Sequence, residues 1–221
     1  KFTNAGQTCV APDYVLVEES VHDRLLERMK ATIREFYGED PRRSADFGRV
    51  INARHHRRLV GLMKSGSVVV GGEADEGERY IAPTVLRDVD PSSPIMQEEI
   101  FGPILPVLKV RGVDQAISLI NARPKPLALY VFTESRAVAE DVLARTSSGG
   151  AVVNHAIMHL ANADLPFGGV GESGMGAYHG RSSFELFSHH RSVLKKPSRI
   201  DPSIAYPPYD AGKQRLLRKL F

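Results

Sequence analysis

The sequence predicts an α/β fold, a largely parallel twisted sheet with flanking helices, and three features of the chain predict it. Short runs rich in Val, Ile and Leu recur along its 221 residues, at positions 14–17, 67–70, 84–86, 104–110, 129–133 and 151–154. Segments with apolar residues three and four apart lie between them, which is helical spacing. From position 104 onward the order is strand, helix, strand, helix, strand, the arrangement that builds parallel βαβ units.

Taken in order, the elements have these reasons. The run at 14–17 is followed by Ser20, a candidate helix cap. The helix it would open carries Leu26, Met29, Ile33 and Phe36 on one face and meets a stop at Gly38. A second helix is expected over 53–64, ending at Gly66. A third carries Val113, Ala116, Ile117 and Ile120, and a fourth starts at Ser135 and carries Val138, Val142 and Leu143. Ala151-Val152-Val153 is apolar without alternation, as a strand buried on both faces would be. After Lys195, Pro197, Pro202, Pro207 and Pro208 break regular structure. The division expected is a catalytic domain over 1–196 and a C-terminal tail over 197–221. The tail ends in Leu216, Leu217, Leu220 and Phe221, an apolar hook suited to association of subunits.

Composition narrows the function. Hydrophobic residues make up 42 % and charged residues 25 %, the balance of an ordinary globular protein. The 29 Lys and Arg exceed the 26 Asp and Glu by only three, and basic residues pair without forming a long run, so no nucleic-acid partner is expected. No apolar stretch is long enough to span a bilayer. With one cysteine no intrachain disulfide can form, which fits a reducing compartment, and a cytoplasmic location is expected. His55-His56 and His189-His190 are adjacent pairs, the wrong spacing for a metal-ligating helix face, and no metal is expected.

That cysteine is the leading candidate for chemistry. A thiol acts as its thiolate and needs a polar, partly open setting. Asn4, Gly6, Gln7 and Thr8 provide one ahead of Cys9. Further on, Glu98-Glu99 precedes Ile100-Phe101-Gly102-Pro103, where Gly and Pro mark a turn able to present side chains. Gly169-Val170-Gly171-Glu172-Ser173-Gly174 matches the spacing of a dinucleotide fingerprint. It follows Leu165-Pro166-Phe167 late in the chain, and the next 25 or so residues look irregular, so that reading is rejected. Close backbone approach is the reason preferred for these glycines.

Three of these segments resemble one family. Asn4-Ala5-Gly6-Gln7-Thr8-Cys9-Val10-Ala11-Pro12-Asp13-Tyr14 is similar to the cysteine signature of aldehyde dehydrogenases. Met96-Gln97-Glu98-Glu99-Ile100-Phe101-Gly102-Pro103 resembles their second signature, and 165–176 a third, in the family's order. Ala11-Pro12-Asp13-Tyr14, Ala177-Tyr178-His179-Gly180 and the segment 183–189 are similar to the class 3 branch, which handles aromatic and medium- to long-chain aldehydes. The resemblance implies an NAD- or NADP-dependent oxidation of an aldehyde to a carboxylic acid through a thiohemiacetal and a thioester on Cys9. It implies Glu99 as the holder of the nicotinamide ribose hydroxyls and Phe101 as packing beside the nicotinamide. It also suggests Phe167, His179 and Asn154 on the substrate side, a small aldehyde as partner, and a homodimer.

The likeness is read as one to the C-terminal catalytic half alone, running from Lys1 to about Lys195. On that reading a nucleotide-binding domain, a general base and an oxyanion-hole asparagine lie N-terminal to Lys1, and residues 1–221 alone are inactive. Two rivals stay open: an oligomerisation module without chemistry, and a Cys–His hydrolase, which would need a histidine placed against Cys9.

Overall fold

Val15, Leu16 and Val17 give β1 (Val15–Glu18), and the chain enters α1 (Glu19–Tyr37) with no turn between them. Ser20 is therefore inside the helix rather than capping it: Glu18 holds the cap position, without a side-chain bond. Leu26 and Ile33, seven residues apart, are buried against the sheet with Met29 beside them, and α1 ends at Gly38. Phe36 departs from the expected face and is 65 % exposed. In the last turn Tyr37 takes the inward place instead, packing on Phe47 edge to face.

The structure, a computed structural model, describes residues 1–220. Its first unit, Lys1–Phe187, holds all the strands. α2 (Ala53–Leu62) is capped by Asn52, whose side chain accepts from the His55 N–H at 2.9 Å, and buries Leu59 and Leu62. After it come β2 (Ser67–Val70), a small antiparallel hairpin of β3 (Ala74–Asp75) and β4 (Tyr80–Ile81), then β5 (Thr84–Arg87) and β6 (Ile104–Val110). The main sheet has the order β1-β6-β5-β2. β6 is central and parallel to both β1 and β5, and six of its seven residues are buried. β2 joins β5 antiparallel, so the α/β fold stands with a mixed sheet.

α3 (Val113–Asn121), β7 (Ala128–Val131), α4 (Arg136–Arg145) and β8 (Gly150–Val153) form the βαβ part. Ser135 caps α4 as expected, accepting from the Val138 N–H at 3.3 Å. β7 and β8 pair in parallel as a separate two-stranded sheet. One face packs around Ile117, Val131 and Val142 from α3, β7 and α4. The other is open, so β8 is not buried on both faces: Ala151 is exposed and Val153 is 40 % exposed. A short α5 (Gly180–Leu186) lies where irregular chain was expected, closed at its start by the His179 N–H bonding Ser183 Oγ at 2.8 Å.

The second unit is Ser188–Phe221. Lys196 Nζ bonds Asp201 Oδ1 at 3.0 Å, and the unit ends in α6 (Ala211–Leu220), on which Leu216 and Leu220 are exposed. Phe221, expected in the apolar hook, lies outside the described residues. Among the described residues no helix is long and apolar enough to cross a membrane, and no cluster of His, Cys, Asp and Glu could hold a metal.

Candidate active site

Cys9 sits on a loop that ends a rare backbone path. Asn4 and Ala5 both have φ of 52° and Gly6 of 73°, three left-handed residues in succession. Such a run is costly for non-glycine residues and persists only where surrounding bonds enforce it. Here the Asn4 amide donates to the Gln7 carbonyl at 3.0 Å, and the Gln7 amide donates to Asn4 O at 3.1 Å and Arg49 O at 2.9 Å. Gln7 Oε1 in turn accepts from the Ile51 N–H at 2.9 Å. Gly6 lies against the backbone of Gly102 so closely that a β-carbon would overlap its carbonyl. The next turn is closed by the Ala11 N–H to the Thr8 carbonyl at 2.9 Å, and Val10, 1 % exposed, anchors it to the core. Cys9 stands exposed on that turn, and among the described residues its N–H bonds to nothing.

Glu99 lies beyond the turn Pro94–Met96, on a segment pinned by the fully buried Ile95 and Ile100. Arg58 of α2 holds this segment: Nη2 donates to Ile100 O at 2.6 Å, and Nη1 to Glu99 O at 3.3 Å and Glu98 Oε2 at 2.9 Å. From the other side, Asp13 Oδ1 accepts from the Ile100 N–H at 3.0 Å. The Glu99 carboxylate has no hydrogen-bond partner among the described residues. Although the side chain reaches solvent, the protein around it withdraws enough water to raise its pKa, and the Asp13 carboxylate adds to the rise while Lys1 and Arg58 oppose it. Asp13 is raised as well, by burial first, against Lys1, its bond from Ile100, Arg58 and Arg123. The Lys1 ammonium is out of water with no bond, and burial lowers it to about 8 despite both carboxylates. Phe101, in left-handed backbone with φ of 47°, is 41 % exposed.

A cluster of rings completes the site. Phe167 and Tyr178 pair their backbones through N–H···O bonds of 2.8 and 2.9 Å, and His179 stacks on Phe167 with centroids 6.0 Å apart. Phe167 meets His159 at 5.8 Å, and His159 meets Tyr130 at 6.1 Å. Tyr130 in turn bonds the carbonyl of Val10, beside Cys9. His159 is buried with neither ring nitrogen in a hydrogen bond of sound geometry; desolvation lowers its pKa, and the nearby Ile157 backbone opposes that shift. Gly168 and Gly169 abut the carbonyls of Gly176 and Ser173, which leaves no room for a side chain. The glycine run is thus a tightly folded loop between Phe167 and Tyr178, not a junction of strand and helix.

The structure therefore brings the Cys9 and Glu99 segments together, through Gly6 on Gly102 and Asp13 on Ile100, and it brings Phe167 to His179. Asn154 is held elsewhere. With φ of 59°, its amide accepts from the Thr133 N–H at 2.8 Å and donates to the Thr133 carbonyl at 2.9 Å, so both its polar atoms are engaged at the β7–β8 edge. Among the described residues no histidine bonds Cys9, as a Cys–His hydrolase would require. Asp13, Arg58, Tyr130 and His159 were not singled out from the sequence. Their partners lie up to 120 positions away, and nothing local marks such pairs.

A family model described as "Aldehyde dehydrogenase family" matches residues 1–193. A bovine protein, "Aldehyde dehydrogenase, dimeric NADP-preferring", is 54 % identical over 197 residues, covering 89 % of this chain and 82 % of the relative. The "4,4'-diaponeurosporen-aldehyde dehydrogenase" of Staphylococcus aureus is 51 % identical over 100 % of this chain and 48 % of the relative. A solved structure described as "Substrate bound state of Staphylococcus Aureus AldH" superimposes with a TM-score of 0.87 at 51 % identity, over 100 % of this chain and 48 % of that one. The chain thus spans about half the length of several relatives that it matches. These alignments overturn the expectation of a likeness to one catalytic half that stops near Lys195. They take in 97–100 % of the chain, tail included. The prolines after Lys195 end regular elements without ending the resemblance.

Proposed function

This chain belongs to the aldehyde dehydrogenase family, and from that premise we propose that it serves the oxidation of an aldehyde to a carboxylic acid with NAD or NADP as acceptor, through Cys9. The observation that carries the proposal is the joining of two segments. An exposed thiol and an unengaged carboxylate are held in register by the bond from the Ile100 N–H to Asp13 Oδ1.

Cys9 as its thiolate adds to the aldehyde carbon and forms a carbon–sulfur bond, leaving a tetrahedral thiohemiacetal with charge on oxygen. The free N–H of Cys9 is a donor for that oxygen, and in comparable sites losing one such donor costs roughly 2.7–4 kcal/mol. A bound nicotinamide nucleotide, held by Glu99 and Phe101, would supply the acceptor for the hydrogen and electron pair that leave that carbon. Cys9 is left as an acyl thioester, and water cleaves it to the acid and the free thiol. Glu99 and Phe101 fit such a nucleotide: a carboxylate can accept two ribose hydroxyls at once, and an open ring can lie beside a planar base.

The ring cluster supports an aromatic or medium- to long-chain aldehyde, with Phe167 and His179 on the wall of its channel. The engaged amide of Asn154 favours a role in joining the ends of β7 and β8 over contact with substrate. The proposal includes a homodimer, since the word dimeric stands in the names of the bovine and mouse relatives, and a cytoplasmic location. The test is cofactor reduction by the protein carrying this chain. Cys9→Ala should abolish aldehyde oxidation while nucleotide still binds. Turnover within about tenfold of the parent would overturn the assignment, because a missing covalent nucleophile costs far more.

A further inference from the structure

We propose that Asp13 and Arg58 are positioning residues that set Glu99 for its nucleotide, one acting from the turn after Cys9 and the other from α2. The inference rests on the reading of Glu99 given above.

Residues 98–100 have no regular structure of their own, between the turn Pro94–Met96 and β6. The buried Ile100 side chain fixes one point, but a point does not fix an orientation. The bonds do. The N–H of Ile100 is held by the Asp13 carboxylate at 3.0 Å and its carbonyl by the Arg58 guanidinium at 2.6 Å, so one peptide group on each side of this residue is gripped by opposite charges. Hydrogen bonds of this kind are roughly twice as strong as neutral ones. The same guanidinium takes the Glu99 carbonyl at 3.3 Å and the Glu98 carboxylate at 2.9 Å. Of the two adjacent glutamates, Glu98 is thereby occupied and Glu99 left available.

Asp13 has a second consequence. It lies four residues after Cys9, on the same signature, and so ties the nucleophile's loop to the nucleotide's loop by one side chain. Its burial raises the carboxyl, and Lys1, Arg58 and Arg123 around it oppose that rise, which favours the ionised acceptor. A displacement of about 1 Å at such a site can cost about a hundredfold in rate, so holding the segment matters to the chemistry.

The experiment compares steady-state constants and the rate of Cys9 alkylation in the protein carrying this chain. The variants are Asp13→Ala, Asp13→Asn, Arg58→Lys, Glu99→Gln and the double variant Asp13→Ala/Glu99→Gln. Asp13→Ala should raise the nucleotide KM by about tenfold or more, with the aldehyde KM and the alkylation rate within about twofold. Asp13→Asn should recover most of this, since an amide oxygen can still accept from Ile100. Arg58→Lys, which loses the fork that grips two carbonyls, should show the same selective defect and keeps the test alive if Asp13→Ala does not fold. Residues acting as one unit are not additive, so the double variant should be no worse than Glu99→Gln within about twofold. Equal defects in Asp13→Ala and Asp13→Asn, nucleotide and aldehyde KM rising together, or an additive double variant would each overturn the proposal. A normal Glu99→Gln sinks the reading of Glu99 and this inference with it. A normal Asp13→Ala beside an impaired Glu99→Gln sinks the positioning alone.

Discussion

The phenol of Tyr130 donates to the carbonyl of Val10 at 2.6 Å, joining β7 to the residue after Cys9 across 120 positions of sequence. Burial raises the phenol above its ordinary value against an opposing backbone contact at Ile157, so Tyr130 stands as a neutral hydrogen-bond donor to the Cys9 turn.

Tyr130→Phe keeps the ring in its cluster and removes only the donor. The Val10 carbonyl then lacks its partner in a partly buried place, which costs about 1–3 kcal/mol. The expected outcome is a lower midpoint in urea with unchanged slope, together with a lower kcat because the Cys9 turn loses its tether. An unchanged midpoint would show that the bond contributes nothing to holding that turn.

A second prediction concerns pH. The Asp13 carboxyl is raised above its ordinary 3.8, chiefly by burial. The folded chain therefore binds this proton more tightly than the unfolded chain, and stability from this group is present at low pH and falls as pH rises above 3.8 through the raised value. Asp13→Asn has no such proton. The difference in stability between parent and variant, from melts at several pH values, should shift toward the variant as pH rises across that window. A difference that moves the other way means that the bond from Ile100 outweighs burial.

Much of this molecule was legible from local signals, and the misses share a cause. Ser135 and Gly38 do what their positions predicted, because caps and stops are decided within a few residues. Ser20 failed because the chain passes from β1 to α1 without a turn, leaving no cap position where Ser20 stands. Phe36 and Val153 carry the right residue type, but burial is granted by a neighbouring element, and none covers them. At the site, Cys9 and Glu99 could be named from motifs. The residues that hold them could not, since Asp13 meets Ile100 across 87 positions and Arg58 meets Ile100 across 42.

Gly6→Ala should be among the most damaging single changes in the chain. A β-carbon would overlap the Gly102 carbonyl, and φ of 73° adds left-handed strain of about 1–3 kcal/mol. Neither neighbour is a flexible side chain that could move aside. We expect a loss of at least about 3 kcal/mol by chemical denaturation. A stable, active Gly6→Ala protein would mean that the 4–6 segment has another path.

His159→Phe should be tolerated in stability. The ring is buried between Tyr130 and Phe167, and its two unbonded nitrogens cost free energy that a phenyl ring avoids. The melting temperature should hold or rise. A fall of about 5 °C or more, on the order of 1 kcal/mol or above, would show that a ring nitrogen of this histidine has a hydrogen-bond partner in the folded protein.

The adjacent glutamates offer the sharpest contrast. Glu98 and Glu99 are equally acidic in sequence, and both are exposed, yet the structure engages them differently. Glu98 pairs with Arg58 at 2.9 Å, a half-exposed ion pair of the kind that contributes about 0–1 kcal/mol. Glu99 has no such partner, and its raised pKa reflects lost water and the Asp13 charge rather than a bond. A ribose hydroxyl pair would supply the bonds it lacks, and hydrogen bonds to a charged acceptor contribute roughly 1.5–3 kcal/mol. Glu99→Gln should therefore weaken nucleotide binding by about tenfold or more with the melting temperature nearly unchanged. Glu98→Gln should act chiefly on stability, by about 1 kcal/mol or less, and its nucleotide defect should be the smaller of the two. Because Glu99 gains protons at a higher pH than an ordinary glutamate, the nucleotide affinity of the parent should also begin to fall at a higher pH on acidification, and Glu99→Gln should lose that dependence. Titrations of nucleotide across pH with the parent and both variants decide the matter. A larger defect in Glu98→Gln would mean that Arg58, not the Glu99 carboxylate, answers to the nucleotide.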